Sequence, residues 1–63
     1  MNENEIMTAV MGRDWPNWQI WFVPRAVGPT SWHACRWDDP ERRVLTAYSP
    51  AKLAELLEAE VAP

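Results

Sequence analysis

The sequence predicts an α+β domain: a three-stranded antiparallel meander sheet with one C-terminal α-helix packed on one face, preceded by an N-terminal arm or short helix. Three observations carry this. Prolines at positions 16, 24, 29, 40 and 50 cut the middle of the chain into short segments rich in aromatic and β-branched residues. The connections between those segments are too short for a crossover helix, so neighbouring strands pair antiparallel. After Ser49-Pro50 the pattern changes to strong helix formers, with Leu53, Leu56, Leu57 and Val61 on one stripe. On this reading residues 1–17 are an N-terminal extension and residues 18–63 the β-β-β-α domain.

Each element has its own signal. Glu3 to Met11 has the spacing for two helical turns, pairing Ile6 with Val10 and Met7 with Met11, and Gly12 is placed to stop them. The alternative is an unstructured arm. Trp18-Gln19-Ile20-Trp21-Phe22-Val23 reads as the first strand, ended by Pro24, and Gly28-Pro29 marks the turn that follows. Ser31 to Trp37 is the second strand. Asp38-Asp39-Pro40-Glu41 is a polar turn in which Asx side chains can bond the backbone. Arg42 to Ala47 is the third strand. Ser49 is a favourable N-cap and Pro50 suits the first helical position, where its missing N–H costs nothing.

Strand alternation places Ile20, Phe22, Ala34, Leu45 and Ala47 beneath the leucine stripe of the C-terminal helix. The far face then holds Trp21, Val23, Cys35, Trp37 and Val44, with His33 and Thr46 beside them. A slip of one residue would exchange the two sets. Either way both faces are apolar and one helix covers only one of them. An apolar patch of that size exceeds what a monomer usually leaves open. Three covers are conceivable: the N-terminal segment through Met7, Val10, Met11 and Trp15, a second copy in an isologous dimer, or a different protein.

With 63 residues, and five Trp among seven aromatics, stability has to come from a few large side chains. One cysteine excludes an internal disulfide framework. The opening residues carry acids and no base, unlike a secretory leader, and charged residues interrupt every apolar stretch well short of a bilayer span. The expectation is a cytoplasmic protein without a membrane partner. The net charge of −3 divides into −2 over residues 1–17, +1 over 18–48 and −2 over 49–63. That field is too weak to predict nucleic-acid binding by itself.

Catalytic and metal chemistry find little support. His33 and Cys35 share a strand face, but two ligands do not close a zinc site and no CxxC or HxxxH supplies others. As a Cys–His nucleophile the pair lacks an orienting carboxylate and an oxyanion hole. Asp38, Asp39 and Glu41 lack the spacing and bend glycine of a calcium loop. Gly12 and Gly28 stand alone, so there is no phosphate-cradling loop. The expectation is a non-enzymatic protein with no cofactor and no metal.

In order of elements the chain resembles the AP2-type and integrase N-terminal DNA-binding domains, which read the major groove with the sheet face away from the helix. That resemblance implies Arg25, Arg36, Arg42, Arg43 and Trp37 as contacts. The Trp18-x-Ile20 strand, the Trp32-x-Ala34 strand and the Ala47-x-Ser49-Pro50 entry into a Leu-rich helix are similar to a group of small uncharacterised Trp-containing β-β-β-α proteins of high-GC, actinobacterial-type bacteria. This likeness spans residues 18–57, supports the fold and implies no activity. The reading that follows is a protein-interaction module, an adaptor, inhibitor or regulatory subunit, that binds a protein partner or itself. Its contact surface is the far sheet face, centred on Trp21 and Trp37 and rimmed by Arg25, Arg36 and His33. The alternative is a DNA-binding domain that uses the same face.

Overall fold

Two helices and three strands follow one another in the order α1 (Glu3–Asp14), β1 (Trp18–Val23), β2 (Ser31–Arg36), β3 (Val44–Ala47) and α2 (Pro50–Val61), in a computed structural model whose described residues are 2–61. The strands form one antiparallel sheet in the order β1-β2-β3. Trp18 pairs with Arg36 and Val23 with Ser31 across β1 and β2, while Trp32 pairs with Ala47 and Cys35 with Val44 across β2 and β3. The meander and the C-terminal helix on one sheet face are therefore as the sequence predicts.

That face carries Trp18, Ile20, Phe22, Trp32, Ala34, Leu45 and Ala47. Trp18, Trp32, Ala34 and Ala47 are buried in one cluster with Leu53 and Leu57 of α2, and the others pack against its edge. Ala34 and Ala47 have almost no accessible surface, which lets α2 lie close to the sheet. Ser49 caps α2, its Oγ accepting from the Lys52 amide at 3.1 Å.

α1 joins the same cluster. Met11 is 3% exposed there, and Met7 and Trp15 pack against it. The N-terminal segment thus adds to the helical layer and does not cross the far face. Asn2 caps α1 reciprocally: its side chain accepts from the Glu5 amide at 2.8 Å, while the Glu5 carboxylate accepts from the Asn2 amide. The helix runs through Gly12, where a Cβ would meet nothing within 4 Å, and ends at Trp15 beside Pro16. The stop is set by proline rather than by glycine.

β3 starts two residues later than the sequence suggests. Asp39 is the reason. Its Oδ1 accepts from the Glu41 amide at 3.0 Å, and its Oδ2 accepts from the Arg43 amide at 3.2 Å and from Arg43 Nε at 3.3 Å. The turn so built holds Arg42 at a φ of 56°, a left-handed conformation that no strand residue adopts. In the other connection Gly28 takes a φ of 88°, which only glycine accepts without strain.

The Glu41 amide is the main cause that holds the Asp39 carboxyl below the ordinary carboxylate range; burial, next in size, opposes it, and the amide and guanidinium of Arg43 add to the lowering. A carboxyl with a depressed folded pKa stabilises the fold above its unfolded pKa, and that contribution is lost as pH falls through the folded value. Asp39→Ala is therefore expected to lower the thermal midpoint at neutral pH and to flatten the loss of stability on acidification. Melting curves of both chains from neutral to acid pH check this. Parallel curves with an equal midpoint at neutrality would remove Asp39 as the organiser of the turn.

Candidate functional site: the uncovered sheet face

Because α1 and α2 occupy one side, the opposite side of the sheet has no protein layer over it among the described residues. It displays Gln19, Trp21 and Val23 from β1, Ser31, His33 and Cys35 from β2, and Val44 and Thr46 from β3. No Asp, Glu, Lys or Arg stands among these eight. Val44 is 49% exposed, and Cys35, held between Gln19 and Val44 in the register, is buried.

The centre of the face is organised by His33. Its ring stacks on Trp21 with centroids 5.4 Å apart and planes 24° from parallel. Nε2 lies 3.0 Å from Ser31 Oγ and Nδ1 lies 3.2 Å from Thr46 Oγ1. Ser31 Oγ also donates to the Val23 carbonyl at 3.4 Å, which leaves its lone pair to accept from Nε2–H and the Thr46 hydroxyl to donate to Nδ1. A ring bonded at both nitrogens and stacked on an indole has one orientation. Trp21 is half-buried against this ring.

Of the five contact residues the sequence suggests, the structure brings Trp21 and His33 into contact. Trp21 and His33 form the centre. Trp37 follows β2, its amide donating to the Asn17 carbonyl at 3.1 Å, so the ladder continues and alternation keeps Trp37 on the side of Cys35. It is 58% exposed. Arg25 lies in the β1–β2 connection with its guanidinium 5.9 Å from the centre of the exposed Tyr48 ring, a cation–π arrangement apart from the central pair.

Arg36 does not join the rim. In β2 it shares the side of Trp32 and Ala34, and with Trp18, Asp39, Arg43, Leu45 and Glu60 it lines a shallow cleft on the helical side. There Arg36 pairs with Asp38 at 3.2 Å, and Arg43 pairs with Asp39 at 3.3 Å and with Glu41 at 3.8 Å. Positive charge is thus matched by acids on the side opposite Trp21. The hydroxyls of Ser31 and Thr46, which fix His33, are legible only once the register is known, because one is local to the ring and the other comes from the next strand.

No group of three or more His, Cys, Asp or Glu side chains among the described residues could hold a metal ion. No described helix is long and apolar enough to cross a membrane. Comparisons with family models, curated proteins and solved structures find no match to this chain.

Proposed function

We propose that the chain is a small non-enzymatic interaction module, an adaptor, inhibitor or regulatory subunit, that receives a protein partner on the uncovered sheet face. The observation that carries this is the placement of both helices on one side, which leaves an uncovered face without charged strand residues around the stacked Trp21–His33 pair. Faces of this kind suit an apolar, aromatic-rich partner surface, with Trp37 and Val44 as flanking contacts. The free thiol of Cys35 suits a reducing compartment, and the proposal places the protein in the cytoplasm. A DNA-reading role for the same face would call for cations there, whereas Arg36 and Arg43 lie toward the helices with acidic partners.

Affinity isolation of the tagged chain, with and without nuclease, tests the reading when run beside three variants. Trp37→Ala and Val44→Asp on the face are expected to weaken capture of a nuclease-resistant partner about tenfold or more. Both side chains are largely exposed, so the folding midpoint should move little. Val61→Asp, at the exposed end of α2, should leave capture unchanged. A partner that is retained by both face variants, or is lost on nuclease treatment, overturns the proposal.

A further inference from the structure

The helical layer is wider than the sheet beneath it. Helices pack about 8–10 Å apart and strands about 4.8 Å apart, so two helices span the width of about four strands. This sheet has three. α2 packs on β2 and β3, while α1 packs on β1. The surplus width therefore lies under α1, beside the open edge of β1.

That edge is also the one fit to pair. β3 has four residues and follows Arg42 and Arg43, and a short, charge-flanked strand discourages pairing with another chain. β1 has six residues, Trp-Gln-Ile-Trp-Phe-Val, with no charge, no proline and an unbroken register. The Trp37 amide donates to the Asn17 carbonyl, which continues that register. Directly bonded pairs alternate along an antiparallel ladder, so Gln19, Trp21 and Val23 turn their backbone groups toward β2. Ile20 and Phe22 turn theirs outward, and no backbone group from outside the sheet bonds either residue among the described residues.

We propose that the position beside β1 receives one extended segment of another protein, paired antiparallel with β1 and carrying basic residues at its N-terminal side. In that pairing the N–H and C=O of Ile20 and Phe22 are all satisfied, and the added strand has α1 above it. Main-chain bonds of this kind supply affinity, while alternate side chains supply specificity. The site is the strand edge rather than the uncovered face, and it stands whether or not that face captures a partner.

Sterics and charge select the occupant. A second copy would set its own α1 one strand spacing away, about 4.8 Å, where two helices do not fit. A bare segment brings no helix. Only residues 15–17 join α1 to β1, so α1 runs back along the strand and its first turn lies toward Val23. Glu3 and Glu5 stand in that turn, while Arg13 and Asp14 offset each other toward Trp18. Two full charges exceed the roughly half charge of the helix dipole at that end. An antiparallel strand starts beside Val23, so these acids meet its N-terminal side.

The probe is a synthetic peptide, acetyl-Lys-Lys-Val-Thr-Val-Thr-Val-amide, with amide exchange of the natural chain followed by nuclear magnetic resonance. The Ile20 and Phe22 amides are expected to exchange about tenfold or more slowly once peptide is bound, while that of Thr46, outward at the β3 edge, is unchanged. An N-methyl group on the Ile20 amide, introduced by chemical synthesis of the chain, deletes an outward N–H and no bond within the sheet. It should weaken peptide binding about tenfold or more. An amide-to-ester replacement at Ile20 removes the same N–H without added bulk, and it should weaken binding even where the methyl group perturbs folding. Peptides with Glu-Glu in place of Lys-Lys, or with the sequence reversed, should bind about threefold more weakly. A peptide that does not bind, or that leaves Ile20 and Phe22 unprotected, overturns the strand position. Equal binding of the Lys and Glu peptides overturns the occupant assigned to it. Binding abolished by Val44→Asp but not by the Ile20 changes would place the peptide on the face instead.

Discussion

Trp32→Ala is expected to unfold the chain at room temperature. Trp32 is 2% exposed, lies opposite both Phe22 and Ala47, and holds its ring 5.5 Å from that of Phe22 in a tilted pair. Truncating a buried aromatic to alanine costs about 3–5 kcal/mol, with the cavity included. A single core in a chain this small rarely supplies more than about 3–5 kcal/mol in total. The two magnitudes are equal, so the variant should lose its near-ultraviolet circular dichroism and show no cooperative melt. Trp37→Ala is the control, because it removes an equal volume from an exposed position. If Trp32→Ala melts cooperatively near the natural midpoint, the buried cluster is not what holds the sheet to its helices.

Removal of α1 is expected to be as damaging. A chain beginning at Trp18 retains the whole meander and α2, yet it lacks Met11, buried in the common cluster, and Met7 and Trp15 packed against it. Met→Ala alone at a buried site costs about 2–5 kcal/mol, and the deletion also uncovers the cluster where these three side chains meet it. Thermal denaturation of the truncated chain, and of Met11→Ala in the full chain, measures this. The truncated chain should give no transition and Met11→Ala a sharply lowered one. If the truncated chain melts near the natural midpoint, residues 2–17 are an appendage and the domain begins at β1.

The strands and α2 were legible because each is specified locally. Aromatic and β-branched runs between prolines define β1 and β2, and Ser49-Pro50 starts α2 with the expected cap. Alternation sorted the strand residues into two sets, and the small Ala34 and Ala47 favoured the set that α2 covers, while a one-residue slip stayed open until the register was known. The start of β3 escaped this logic because Asp39 binds two amides and a guanidinium, a chelation that no propensity of Arg42 or Arg43 reveals. The side taken by α1 was hidden because the helix has little amphipathic contrast, so its sequence points to no face. The Asn2-x-x-Glu5 spacing of a capping box was present and would have argued for helix over arm. For the site, Trp21, His33 and Trp37 follow from alternation within single strands. Arg36 was assigned by charge where parity should have decided, and parity puts it beside Trp18.

The unbroken β1-β2-β3 order also bears on how the chain finds this structure. Every strand pairs with its neighbour in sequence, so the sheet closes through two short loops and needs no crossover. Loop-closure entropy is lowest for such nearby contacts, and small proteins dominated by them fold fastest at a given stability. The slow part of the search is confined to the ends. Met11 and Leu57 belong to the same cluster but are separated by the whole sheet in sequence. The contacts that join the two ends of the chain are those of longest sequence separation, and they carry the largest loop-closure cost in the fold.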